Sequence, residues 1–405
     1  MEGGDMMTLQ DSIRFFTEES HIMPGLSVAC GTADKAITAL GGLADEDTGA
    51  PLTADSIFDL ASLTKLFTGL LVMHLREVGR LDLDKPVTAY APQFCRLDNV
   101  TVGQVLGFEV ALTTTARVDT QTTPEAGRTL LFDIRPGVVT GRAYSDMHAM
   151  VLKHVIEGAA QEDYAALLNR CILVPLGMRN THLIVPKERR SLCVSCNNEH
   201  RIERGQYILR SGILPGTPHD PKARVLSPEP CGHAGLFSTA GDMVKLCQGL
   251  LRYDVISRDS LLFMSRNRTG HLRPDGSYQQ YLGAQCYVKH PVQRHSEVPV
   301  YESDKAISLS GFTGHHLSVD VETGVFALFL GNRVQNRLTV LVPEAGKSIT
   351  DYGLAADGTG RILWPDGTWI DSSVNYVYQK DAHFHQAVAN EMGLQPNTTA
   401  STVRL

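Results

Sequence analysis

The 405-residue sequence has no basic excess, since 37 lysines and arginines stand against 44 aspartates and glutamates, a formal net charge of -7. With no Lys/Arg cluster either, it lacks the electrostatic footprint of a nucleic-acid binder. No apolar run approaches the ~20 residues that a membrane span needs, so no membrane partner is expected. Residues 1–20 hold Glu2, Asp5, Asp11, Arg14, Glu18 and Glu19 where a signal peptide would carry a basic and then an apolar stretch, and a cytoplasmic location is expected. Tandem repeats of helical-array or propeller length are missing, as is a G-x-x-x-x-G-K-[ST] phosphate loop. The eight cysteines (Cys30, Cys95, Cys171, Cys193, Cys196, Cys231, Cys247 and Cys286) lie mostly in apolar surroundings, as reduced, buried side chains do. Cys193 and Cys196 with His200 make only half of a zinc pattern, with no second pair at a fitting spacing. Neither a metal nor a cofactor is expected.

What is present is ordinary for a globular core, 43% hydrophobic with 20% charged residues, and long enough for one two-part body or two to three domains. Apolar spacing predicts a helix over residues 8–19 and strands at 26–30 and 35–40. A helix carrying Ser62 follows, then helices at 101–106, 144–157, 163–173 and 242–251. Residues 107–139 and 192–232 read as largely irregular. Strand signals dominate from residue 281, best at 307–309, 316–321 and 325–330, with a hairpin excursion near 357–368 and a tail helix over 382–392. The order predicts an α/β fold with an antiparallel sheet flanked by helices, assembled from both ends of the chain around a helical insertion. The boundaries expected are 1–80, 81–234 and 235–405, with a cleft where the insertion joins.

Three stretches carry possible chemistry. Ser62 precedes Lys65 by three residues, and on a helix the two side chains share one face, so a hydroxyl and an amine can meet. The turn Pro136-Gly137 leads to Tyr144 at a helix start with Asp146 two residues on. There the phenol can shuttle a proton beside a lysine, or merely cap a core edge while Asp146 favours the helix dipole. The strand end Ser308-Leu309-Ser310-Gly311-Phe312 lets a substrate backbone approach closely, and its amides can face an oxyanion. His315 is read as a possible border of the cleft, His316 as a sheet-face residue and His233 as structural. The pair His219-Asp220 could approach the cleft from the helical part.

In this order the three stretches resemble the serine β-lactamase and penicillin-binding family, nearest its branch of class C β-lactamases, D-alanyl-D-alanine peptidases and related esterases. Phe58 to Lys65 matches the Ser-x-x-Lys box and Tyr144-Ser145-Asp146 the Tyr-x-Asn box. Gly79 to Asp84, Pro175 to Met178, Gly232 to Thr239 and Gly324 to Val334 are similar as well. The resemblance implies a β-lactamase/transpeptidase-like fold with Ser62 as the acylated residue. Lys65 and Tyr144 would handle its proton, and the backbone N–H groups of Ser62 and Phe312 would hold the oxyanion. Three departures bear on substrate. Leu309 replaces the usual cation of the third box, which puts β-lactam or D-Ala-D-Ala recognition in doubt. Asp146 replaces an Asn and should hold Lys65 as an ammonium. Val105 to Leu112 stands where relatives carry a His-Thr-Ser-Gly loop. The reading is a cytoplasmic, cofactor-free serine hydrolase or transacylase on a small ester, amide or peptide. The alternatives are a catalytically silent scaffold of the same fold and a true β-lactamase or D-Ala-D-Ala carboxypeptidase.

Overall fold

In the computed structural model, residues 6–292 and 297–395 are described. The strand Gly25–Gly31 is buried along its whole length and pairs antiparallel on both sides, with Ala36–Asp45 and with Val325–Gly331. Ala306–Gly311 and His315–Asp320 extend the sheet beyond Val325–Gly331, and Ala50–Pro51 completes the six strands beyond Ala36–Asp45. Both ends of the chain therefore build one sheet, as expected from the strand signals.

The sheet's central strands separate two cores by their two-residue alternation. Phe326, Leu328 and Leu330 face one way, against Leu66, Phe67, Leu70 and Leu71 of the helix Thr64–Glu77 and Met243 and Leu246 of the helix Ala240–Leu251. Ala327 and Phe329 face the other way, against Ile13 and Phe16 from the N-terminal helix and Phe384 and Val388 from the tail. The tail helix predicted over 382–392 packs on the sheet through its apolar side, Phe384, Ala387 and Val388. It is built as Tyr376–Gln379, a π-type turn and His385–Glu391.

Helices of the middle segment pack on the far side of Thr64–Glu77, chiefly Asp146–Ala160, whose Met150, Val151 and Val155 join the same core. Gly158 brings this helix against the backbone at Tyr90, where an added Cβ would lie 1.8 Å from the Tyr90 carbonyl oxygen.

Two stretches expected to be irregular are more ordered than that. Within 107–139, Thr123 caps a helix Pro124–Phe132, and Ala111–Thr113 pairs with Arg135–Gly137. Within 192–232, Glu199–Glu203 and Gln206–Arg210 form a hairpin. Its turn places both Arg204 (φ 53°) and Gly205 (φ 80°) in the left-handed region. Hairpins of this kind usually announce themselves with Asn-Gly or Asp-Gly, and an arginine there hides the signal. The hairpin belongs to a second, five-stranded sheet, pairing parallel with Arg337–Val342, which in turn pairs with Trp369–Ser372 of the predicted hairpin excursion. Strands thus cross the boundary expected at residue 234.

Candidate active site

Phe58–Asp59 pairs with Phe237–Ser238, and the chain then turns sharply through Ala61, whose φ of 44° is left-handed although it carries a Cβ. The Asp59 carboxylate secures this turn by accepting the N–H groups of Ala61 at 3.0 Å and His219 at 2.6 Å. A short 3-10 turn, Ala61–Leu63, presents Ser62 half-buried at the head of the helix Thr64–Glu77.

Lys65, one helical turn on, is fully buried. Its Nζ donates to Ser62 Oγ at 2.8 Å and to the His233 carbonyl at 3.2 Å, and it pairs with Asp146 Oδ1 at 2.8 Å. Three partners satisfy the three N–H bonds of an ammonium. Burial alone would lower the Lys65 pKa, but the Asp146 carboxylate and the Tyr144 phenol outweigh it and hold the pKa above the ordinary lysine value. The ammonium lies 5.1 Å from the centre of the Tyr144 ring. That ring is stacked between Phe108 at 5.4 Å and Tyr287 at 5.4 Å. Phe108 comes from the stretch that departs from the family's loop, so the altered rim serves as a platform for Tyr144.

Asp146 opens the helix Asp146–Ala160 behind its cap Ser145. Its second oxygen takes Lys222 at 2.9 Å. Burial would raise this carboxyl, yet Lys65, His233 and Lys222 hold it well below the usual range. Asp220 caps the helix Pro221–Leu226 through the Ala223 N–H and meets His233 Nε2 at 2.9 Å. Burial opposes protonation of His233, but Cys231 and Asp220 beside it carry its pKa up to about 10. Among the described residues, Asp146, Asp220 and His233 are the one cluster with metal-ligand spacing. Both oxygens of Asp146 already hold lysine ammonium groups, a poor setting for a further cation.

On the opposite wall, Gly311 packs so closely on the Ser62 turn that an added Cβ would lie 2.7 Å from the Leu60 carbonyl oxygen. The Ser310 hydroxyl donates to the Glu297 carboxylate. The Phe312 ring stacks on His219 at 5.7 Å and under Arg333 at 4.8 Å. Its carbonyl accepts Arg333 Nε at 2.8 Å. A cavity of about 450 Å³ opens between the walls, lined by Ser62, Tyr144, Asp146, Ser310, Gly311 and Phe312. All the expected site residues except Lys65 and His315 thus line one space, and Lys65 sits just beneath Ser62.

His315 corrects its expectation. Only 1% exposed, it lies behind the Ser62 turn, with Nε2 2.6 Å from the Asp59 carbonyl and Nδ1 accepting the Gly331 N–H. Burial lowers its pKa to about 4, so it is a neutral strut and not a cleft residue. Leu309 points into the core, fully buried. Cys193 and Cys196 are buried free thiols, and the His200 ring meets Trp364 edge-on at 4.5 Å.

The sequence reading missed Lys222 and Glu297, as well as Arg117, Arg142, Arg201, Arg210 and Arg333, all of which line the cavity. For Lys222 a signal existed, because Asp220-Pro221 is a helix cap followed by a proline at the first helical position. Arg201 and Arg210 were hidden with their hairpin.

Comparison with known proteins finds relatives. A family model described as beta-lactamase matches residues 12–345. Esterase EstB of Burkholderia gladioli is 28% identical over 244 residues, 52% of this chain and 60% of its own length. The solved structure of EstCE1, described as a hydrolase with promiscuous acyltransferase activity, superposes with a TM-score of 0.62 at 20% identity over 80% of this chain and 92% of its own. A simvastatin synthase variant from Aspergillus terreus covers 95% of this chain and 94% of its own at a TM-score of 0.63 and 15% identity.

Proposed function

Because the chain belongs to the β-lactamase family, we propose that it is a serine hydrolase or transacylase working through an acyl-enzyme on Ser62. The observation that carries this reading is the 2.8 Å contact between Ser62 Oγ and Lys65 Nζ, with Tyr144 and Asp146 gathered on the same lysine beside the cavity.

Asp146 holds Lys65 as an ammonium, so the lysine donates to Ser62 Oγ and is a poor acceptor of its proton. In this reading Tyr144 enters the step as its phenolate, paired with the Lys65 ammonium, and takes the proton as Oγ bonds to the acyl carbon and the carbonyl electron pair moves onto its oxygen. The backbone N–H groups of Ser62 and Phe312 receive that oxyanion, and each such donor is typically worth ~3 kcal/mol. Collapse re-forms the carbonyl and expels the leaving group, which regains the proton from Tyr144. Water or a second nucleophile then releases the acyl group by the reverse route.

The substrate proposed is a small ester, amide or peptide, as the similarity to an esterase supports. The buried Leu309 offers no cation at the strand edge, which speaks against β-lactams and D-Ala-D-Ala termini as natural substrates. No described helix is long and apolar enough to cross a membrane. Eight unpaired cysteines support a reducing compartment, and we propose the cytoplasm.

A fluorophosphonate probe and a labelled β-lactam, applied to the wild-type chain and to Ser62→Ala, test the mechanism. Covalent labelling of Ser62 in the wild type only is expected. Unlabelled wild type, or equal labelling of both, overturns it. A panel of p-nitrophenyl esters, D-amino acid amides and nitrocefin, run with added amines or alcohols, then distinguishes hydrolysis from acyl transfer.

A further inference from the structure

The cavity wall behind Phe312 carries more positive charge than the protein needs for itself. Arg201 and Arg210 come from the two strands of the hairpin over residues 199–210, and Arg333 follows the strand Val325–Gly331. All three line the same cavity as Ser62. Arg333 is 5% exposed and spends two donors on the carbonyls of Phe312 and Ser373, with no ion pair among the described residues. The Arg210 side chain makes no hydrogen bond among them. Its nearest acid is Glu199, with Nη1 3.6 Å from Oε2. Arg201 Nε lies 3.6 Å from Glu199 Oε1 and has no hydrogen-bond partner, although its Nη2 reaches Glu203 at 3.0 Å. Glu199 is fully buried, bonded to Thr339 and 3.1 Å from His219 Nε2, so Arg201 and Arg210 share what is left of one carboxylate at distances too long for good hydrogen bonds.

A guanidinium withdrawn from water without a matched acid is costly, which makes a cluster of them on the wall of a reaction cavity a place for an incoming anion. The strand Ala306–Gly311 just before Phe312 has the reverse character, since Glu297 holds Ser310 and Leu309 is turned into the core. An anionic substrate group would be repelled there and drawn to the arginine wall.

We propose that Arg201, Arg210 and Arg333 form a subsite for an oxyanion, a carboxylate or a phosphate, carried by the substrate that acylates Ser62. The assignment deepens the acyl-enzyme reading and rests on it for the word substrate, whereas the anion site itself can be tested without turnover. Glutarate and inorganic phosphate are titrated calorimetrically at low salt into Ser62→Ala and into the same chain with Arg210→Gln or Arg201→Gln, after circular dichroism confirms each fold. At least one anion is expected to bind with a Kd below about 1 mM and to weaken about tenfold or more in each arginine variant, the loss of one charged hydrogen bond. Binding of glutarate alone identifies a carboxylate, and binding of phosphate alone a phosphate. In the wild type, mono-p-nitrophenyl glutarate and p-nitrophenyl butyrate are compared. If a carboxylate is bound, the ratio of their kcat/KM values should fall about tenfold or more in Arg210→Gln. If neither anion binds, or if binding survives both substitutions, the subsite is overturned. An unlabelled Ser62 in a chain that still binds the anion overturns only the acyl-enzyme reading.

Discussion

At the scale of single residues, Asp146 decides what Lys65 does. Both are desolvated, and burial by itself would push the lysine toward its neutral form, yet the carboxylate 2.8 Å away reverses that. Replacing Asp146 by Asn removes the reversal and leaves Lys65 subject to burial. In Asp146→Asn the lysine pKa is therefore expected to fall, and a new ionisation to enter the kcat/KM profile below the ordinary lysine value of about 10.4. The profile of the wild-type chain should lack it. An unchanged profile would show that Asp146 does not set the charge of Lys65. The same carboxylate also holds Lys222, so a loss of stability of about 3 kcal/mol is expected in the same variant, read from denaturant unfolding.

At the scale of elements, the helix Asp146–Ala160 is fixed at both ends. Its first turn supplies Asp146 beside Tyr144, and near its last turn Gly158 touches the Tyr90 backbone. In a free helix, glycine to alanine is worth a gain of about 1 kcal/mol. Here the added Cβ would meet a carbonyl oxygen at 1.8 Å, which only a movement of the helix relieves. The clash outweighs the propensity, and Gly158→Ala should cost about 2 kcal/mol or more, as overpacking does. Thermal or urea unfolding checks the sign. The helix reaches from this contact to the Tyr144 turn, so kcat/KM of the variant should also fall.

At the scale of the whole molecule, buried ion pairs join segments far apart in sequence and make stability depend on pH. Burial would raise Glu199, but His219, Thr339 and Arg201 hold its pKa at about 2. Asp146 and Asp220 are likewise held below the ordinary range, against burial, by the lysines and His233 around them. A depressed folded pKa contributes stability that is present above the unfolded value, about 4 for these groups, and is lost as pH falls through the folded one. Lys65 is raised, so its contribution stays constant throughout the acid range and fades only as pH rises past its unfolded value. Asp59 and Glu302, raised by burial, run the other way in acid. The melting temperature is expected to drop steeply between about pH 4.5 and 2, and Glu199→Gln should flatten part of that slope. An equal slope in the variant would refute the role given to Glu199.

The sequence by itself determined five strands of the six-stranded sheet, the tail helix and the meeting of Ser62 with Lys65. Those depend on spacing along one strand or helix, such as the alternation of Phe326 to Leu330 or the single turn between Ser62 and Lys65. It also gave Tyr144 and Asp146 their place at a helix start. Only the tertiary structure decided which side chains share the cavity. Lys222 reaches Asp146 across 76 positions, His315 turns inward to Asp59 across 256, and Arg201, Arg210 and Arg333 converge from two sheets. A charge on a hairpin has no periodic signature, because whether it meets solvent, an acid or a substrate depends on what the rest of the chain packs against it.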